Sequence, residues 1–260
     1  MYLQASLGER YKSSCQQARV ITENWGHENL FCPRCESNSL NRAPTNSQVV
    51  DFVCPQCKAP FQLKSKSGAI GDSIPDAGFY AMMKAIREDR TPNLFVLQYD
   101  RNTWRVRNVL LVPQFAFSPS AILKRKPLAV TARRAGWIGC NIVLKNIPDR
   151  ARISIVVDEI PRSRTEVRQR FREVEPLKDI SISQRGWTLD VWRMVQSLGT
   201  NEFATRDAYV FEPELKRFYP GNQHAREKIR QQLQLLRDKG LLTQIGRGKW
   251  QQIQIPPKTA

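Results

Sequence analysis

Hydrophobic and polar positions follow two different periods along this chain, and the period changes with position. Residues 48–53, QVVDFV, make a short apolar run, and residues 61–66, FQLKSK, alternate apolar with polar; both predict strands. The segment CPQCKAP between them makes the predicted unit a hairpin. Alternation puts Gln62, Lys64 and Lys66 on one face and Phe61, Leu63 and Ser65 on the other. With the turn centred near Cys57, position 51 pairs close to position 63, bringing Asp51 level with Gln62 and Lys64.

The C-terminal third has helical spacing instead. Residues 186–199 place Trp187, Val191, Met194 and Val195 on one side, and a second helix is predicted over 206–218, with Pro213 a candidate break. In residues 223–239, Ile229, Leu233 and Leu236 recur at i, i+4 and i+7, and Gly240 ends the run. LLTQI, GRG and KWQQI then predict a hairpin with Gly246 and Gly248 in the turn and Arg247 at its tip. Three helices and such a wing describe a winged-helix domain. The polar stretch 161–183 is expected to be a linker, which divides the chain at 1–180 and 181–260.

A hydrophobic content of 41% with six tryptophans supports a real core, in one large domain or two modest ones. Nowhere are eighteen consecutive residues apolar, and the N-terminus lacks the regions of a signal peptide; a cytoplasmic protein with no membrane partner is expected. The net charge of +17 implies a polyanionic partner. Residues 120–172 carry 13 basic and 4 acidic groups and residues 216–250 carry 9 and 2, whereas 173–215 carry 4 and 8. Two basic blocks flanking an acidic one fit two elements that each touch nucleic-acid phosphates.

Four of the six cysteines form CPRC (Cys32, Cys35) and CPQC (Cys54, Cys57), with 18 residues between the pairs. Two such knuckles complete a tetrahedral S₄ shell suited to structural Zn²⁺, with no open position for catalysis. Cys15 and Cys140 stand alone and are expected to be ordinary buried thiols.

The pattern D-x₁₀-Q-x-K over Asp51, Gln62 and Lys64 is a minimal kit for metal-assisted phosphodiester hydrolysis. The carboxylate and the amide oxygen hold Mg²⁺, and the lysine orients or deprotonates the attacking water. Taken alone, the pattern fits the polar face of an edge strand equally well. The two histidines do not support other nuclease chemistries: His27 precedes Glu-Asn and His224 precedes Ala-Arg, so neither lies in a ββα-metal or H-x-K setting.

Several segments carry a resemblance to a known family. They are YKSSCQQARVITENW (11–25), the two knuckles, VVDFVCPQCKAPFQLKSKSG (49–68), YAMMKAI (80–86), KRKPLAVTARRAGWIGCNI (124–142) and EKIRQQLQLLRDK (227–239). The chain resembles, nearly end to end, the DpnI-like methyl-directed type II restriction endonucleases of the PD-(D/E)XK superfamily. The resemblance implies a mixed α+β nuclease core with an inserted zinc site, a C-terminal winged-helix domain, and Mg²⁺-dependent double-strand cleavage at GATC carrying N6-methyladenine. It also implies a monomer in solution.

By that resemblance Asp51 is the metal-binding aspartate, Lys64 the catalytic lysine, and Cys32, Cys35, Cys54 and Cys57 the zinc ligands. One departure stands out: Gln62 occupies the family's glutamate position, which removes a negative charge and predicts weaker metal affinity. Glu23 offers a further carboxylate. The alternatives are a non-catalytic zinc-ribbon and winged-helix regulator, or a nuclease of the same fold that reads another site or modification.

Residues 124–140 predict an irregular basic segment. In it Lys124, Arg125 and Lys126 are placed for phosphate contacts, and Arg133, Arg134 and Trp137 to reach or wedge between bases. On the third helix Arg226, Arg230, Gln231 and Gln234, with Arg237, form the outer face; with Arg247 on the wing they are expected to contact duplex DNA, since Arg and Gln match guanine and adenine edges. Favouring a methylated adenine requires an apolar pocket, for which Trp187, Trp192 and Trp250 have the right chemistry.

Overall fold

The computed structural model describes residues 1–44, 47 and 49–253. Helix α1 (Ser14–Asn29) buries Ile21 and Trp25, one turn apart, against the sheet. After the first knuckle come β1 (Asn41–Arg42) and β2 (Phe52–Val53), and the second knuckle turns the chain back into β3 (Pro60–Lys66). The predicted hairpin is present, with Phe52 opposite Phe61 and Val53 opposite Pro60. Its first strand is shorter than the expected 48–53, because Val49 takes a φ of 65° and breaks the extended run; residue 48 lies outside the described residues.

β4 (Ser73–Gly78) and α2 (Phe79–Arg87) then carry the chain to β5 (Asn93–Tyr99), which lies parallel to β3, Gln62 beside Leu94 and Lys64 beside Val96. A parallel neighbour demands such a crossover. β5 is apolar from Leu94 through Leu97 because it lies inside the sheet, and Phe95 stacks on Phe61 with ring centroids 5.2 Å apart.

β6 (Val106–Val112) continues antiparallel to β5; β7 (Ile122–Lys124) and β8 (Gly139–Val143) bracket the basic segment; β9 (Ile153–Val157) and β10 (Ile160–Pro161) complete the large sheet. The order is β1-β2-β3-β5-β6-β9-β10, and a second sheet is ordered β4-β8-β7.

The stretch 161–183 is not a linker. It contains α3 (Arg164–Val174), capped by the Ser163 hydroxyl accepting from the Glu166 N–H at 3.1 Å. Val167, Phe171 and Val174 are buried at i, i+4 and i+7, a stripe concealed by the charged residues between them.

The C-terminal segment follows the predicted pattern closely. α4 (Ile182–Gln196) starts four residues early and is followed by β11 (Glu202–Ala204). A 3₁₀ turn, Asp207–Phe211, precedes α5 (Glu212–Phe218), so Pro213 sits in the first turn, where its missing N–H does no harm. α6 (Ala225–Asp238) ends before Gly240, whose φ is 69°. β12 (Leu242–Gly246) and β13 (Lys249–Gln252) form the wing, with β11 as a third strand.

Trp187, Trp192 and Trp250 are all buried here, with Trp187 stacked on Tyr219 at 4.1 Å, so they fill the core and do not line a pocket for a methylated base. α4 also meets the N-terminal half: Arg185 pairs with Asp89 at 2.5 Å, and Asp190 accepts from Ser118 and Ser120. No described helix is long and apolar enough to cross a membrane.

Candidate active site

The two knuckles converge. Cys32 Sγ lies 3.6 Å from Cys57 Sγ, Cys35 Sγ lies 3.5 Å from Cys54 Sγ, and all four sulfurs fall within 4.8 Å of one another. A tetrahedron of about 2.3 Å Zn–S bonds has edges a little under 4 Å, so the cluster suits a structural zinc. A tight turn shapes the second knuckle: Lys58 takes a φ of 59° and its N–H reaches the Cys54 carbonyl at 3.1 Å. Burial pushes the Cys32 thiol up. At Cys54 burial acts the same way, but the N–H groups of Cys57 and Gln56 outweigh it and bring the thiol down to about 6.

Arg168 of α3 secures the first knuckle. Its guanidinium donates to the carbonyls of Cys32 at 3.2 Å and Ser37 at 2.9 Å, pairs with Glu36, and lies over the Phe31 ring. The polar pattern of 161–183 reads as a linker and does not reveal this arginine's role.

Just before β2, Asp51 accepts a hydrogen bond from the Leu63 N–H at 2.8 Å, while its own N–H donates to the Phe61 carbonyl at 2.9 Å. This register puts Asp51 opposite Gln62, one residue from the pairing expected. Burial holds the Asp51 carboxyl above the usual carboxylate range; the Leu63 N–H opposes that, and the nearby Glu23 adds to it. Glu23 and Arg19, paired at 2.6 Å on α1, line with Asp51 and Arg42 an open cleft of about 420 Å³.

The two faces of β3 separate as alternation requires. Leu63 and Ser65 face α1, where the Thr22 hydroxyl donates to Ser65 at 3.2 Å and Gly26 leaves room for Leu63. On the other face Gln62 is nearly buried, with no side-chain hydrogen bond among the described residues, and Lys64 Nζ meets Asp76 Oδ1 of β4 at 2.7 Å. No sequence signal marks Asp76. It lies twelve residues beyond Lys64 in a different sheet, and no periodicity in the sequence connects the two.

The basic segment is a loop between β7 and β8, closed by bonds from the Leu128 N–H to the Trp137 carbonyl (2.9 Å) and from the Gly136 N–H to the Leu128 carbonyl (3.1 Å). Lys124 donates to the Tyr80 hydroxyl at 3.1 Å, and Arg125, Lys126, Arg133 and Arg134 are exposed. Trp137 is half-buried on a floor of Gly78 and Gly139, with the Arg134 guanidinium 4.8 Å above its ring. A Cβ on Gly139 would come within 2.9 Å of that ring.

On α6, Arg226, Arg230, Gln231 and Gln234 are exposed, as is Arg247 on the wing. Arg226 is paired with Glu212 at 2.6 Å and Arg230 with Glu227 at 3.1 Å. Gln232 turns inward, accepting from the Thr188 hydroxyl at 2.7 Å and joining α6 to α4. His27 and His224 are exposed; Cys140 is buried, its thiol pushed up to about 11 by burial and by Asp76. Cys15 is exposed, contrary to expectation, because it falls on the outer side of the first turn of α1.

The family comparison agrees with both halves of this arrangement. A family model described as DpnI, the Dam-replacing family, matches residues 1–180, and a second, the Dam-replacing HTH domain, matches residues 183–252. The chain belongs to the DpnI family. Membership supports a methyl-dependent restriction endonuclease, and the HTH match supports DNA binding through the C-terminal segment.

Proposed function

We propose that this DpnI-family chain is a Mg²⁺-dependent type II endonuclease of the PD-(D/E)XK kind, cutting both strands of duplex DNA at GATC sites that carry N6-methyladenine. Residues 1–180 form the catalytic domain with its zinc clamp, and residues 181–260 a winged-helix DNA-binding domain. The protein acts in the cytoplasm and is a monomer in solution.

The observation that carries this reading is the Asp51 carboxylate, fixed by the Leu63 N–H at 2.8 Å beside Gln62 and sharing an open cleft with a second acid, Glu23. Burial is the main reason the Asp51 carboxyl is raised, with Glu23 adding to it; a divalent cation held there would favour the ionised form. Asp51 and Gln62 are the residues that would hold Mg²⁺, which when bound polarises the phosphate and acidifies water. The Leu63 N–H fixes the Asp51 carboxylate, and Lys64 is placed to orient the attacking water and offset charge developing on the phosphate.

DNA is held from two sides. Lys124, Arg125 and Lys126 contact phosphates, while Arg133, Arg134 and Trp137 face the bases; Arg226, Arg230, Gln231, Gln234 and Arg247 form the second contact. Trp137 is the apolar surface best placed to favour a methylated base, since it is the half-buried indole in a basic loop.

Digestion of plasmids from adenine-methylating and non-methylating hosts tests the reading. Cutting only the methylated plasmid is expected. Cutting of both would remove methylation dependence, and cutting of neither at any Mg²⁺ or Mn²⁺ concentration would point to a DNA-binding regulator. Gln62→Glu is expected to lower the Mg²⁺ concentration needed for half-maximal cleavage, because it restores a carboxylate.

A further inference from the structure

We propose that Asp76 is the positioning residue for Lys64, holding its ammonium on the Gln62 face of β3 from the adjoining sheet; this rests on the nuclease reading above. The Asp76 side chain is 1% exposed and the Lys64 side chain 27%, so the acid is the buried partner and the lysine reaches it from a more open position. Apart from the ammonium at 2.7 Å, Asp76 Oδ1 has no hydrogen-bond donor among the described residues. A carboxylate is not left in such a place without its counter-charge.

A lysine carries four rotatable bonds, and a free ammonium on a strand samples many positions. Here the tip is tied to β4, whose backbone is fixed by pairing with β8, Asp76 opposite Cys140. The departure at position 62 sharpens this role. A glutamate there would offer Lys64 a competing carboxylate on the same face two residues away, and Gln62 does not. Asp76 is thus the acid that Lys64 contacts, while Asp51 remains available to a cation.

The same sheet carries the Trp137 loop. β8 follows that loop directly, and Gly78, two residues from Asp76, forms part of the floor under the Trp137 ring. Asp76 therefore stands between the lysine and the loop that faces the bases.

The test compares full-length native chain, Asp76→Asn and Asp76→Glu on an adenine-methylated GATC duplex. It measures the duplex Kd in Ca²⁺, the single-turnover cleavage rate at saturating enzyme, the Mg²⁺ midpoint and the thermal midpoint. Asp76→Asn is expected to cleave about 10- to 100-fold more slowly, with Kd and Mg²⁺ midpoint within about threefold of native, as for other groups that orient an active-site side chain. Asp76→Glu, which keeps the charge but moves it by a methylene, is expected to fall between the two.

A full cleavage rate in Asp76→Asn overturns the inference. So does a raised Mg²⁺ midpoint, which would make Asp76 a metal ligand, or a loss of DNA binding that accounts for the slower rate. If Asp76→Asn does not fold, Asp76→Glu decides: an intermediate rate at unchanged Kd supports the role and a full rate refutes it. The native chain separates the two levels, since absence of cleavage there overturns the nuclease reading and this inference together, whereas native cleavage with an indifferent Asp76 overturns this inference alone.

Discussion

Tyr219 donates its phenolic hydrogen to the Asp190 carboxylate at 2.6 Å, and Asp190 has no exposed surface. From the N-terminal half the hydroxyls of Ser118 and Ser120 reach the same carboxylate, so one buried charge ties α4 to both α5's end and the loop after β6. Burial raises the Asp190 carboxyl to about 6 even against these donors.

A pH prediction follows from that rise. Because the folded pKa lies above the ordinary value of 3.8, the protonated acid favours the folded state; its contribution is full below 3.8 and is lost as the pH climbs through about 6. Asp190→Asn removes the titration. Its unfolding free energy is expected to gain on that of the native chain by on the order of 2–3 kcal/mol between about pH 4 and about pH 7, followed as a relative rise of its thermal midpoint. Two midpoint curves that run parallel across this range would show that Asp190 is not the group responsible.

Zinc removal is expected to unfold the knuckles and with them the Asp51–Leu63 contact. Metal analysis should find one zinc per chain, and a chelator strong enough to extract it should lower the thermal midpoint and abolish DNA cleavage, Mg²⁺ notwithstanding. Retention of full stability after complete extraction would contradict a structural role.

Arg168→Met is expected to destabilise the chain by about 2–4 kcal/mol, since it removes the side-chain donor to the Cys32 carbonyl and one of the two donors to the Ser37 carbonyl. Chemical denaturation measures this. The variant should also surrender zinc to a chelator faster than the native chain, whereas an unchanged release rate would show that the arginine stabilises α3 alone.

Gly139→Ala probes the Trp137 loop. The new Cβ meets the indole at 2.9 Å, so the ring must lift from its floor. Weaker binding of methylated duplex by about tenfold is expected with little change in the affinity for unmethylated DNA, which the basic residues supply. Equal loss on both duplexes would mean that the loop holds phosphates and does not sense the base.

Arg247→Ala is expected to weaken binding to all duplexes alike and to reduce the slope of log K against log salt by about 1, the signature of one lost phosphate contact. A loss confined to GATC-containing duplexes would instead place Arg247 on a base edge.

Much of this architecture was legible in the sequence. The spacing of the cysteines, the alternation of 61–66 and the i, i+4, i+7 pattern of Ile229, Leu233 and Leu236 are local signals, and each element appears where the signal lies. What escaped was non-local or masked. α3 hides its stripe of Val167, Phe171 and Val174 among charges, and Arg168 works by reaching 136 residues back to Cys32. Asp76 meets Lys64 only because β4 belongs to a second sheet folded against the first. The tryptophans of the C-terminal segment have the chemistry of a binding pocket, but which side of a helix faces a neighbour depends on contacts a single sequence does not display.

The pairing of β7 with β8 fixes Lys124 directly across from Cys140, which in turn sits across from Asp76. The ends of the intervening loop are thus pinned one strand spacing apart, about 5 Å. A loop anchored in this way behaves as a cassette. Its length and composition can be exchanged between those two rails without displacing the acid beneath them, so, on the nuclease reading proposed above, the loop could be grafted while Asp76 stays in place.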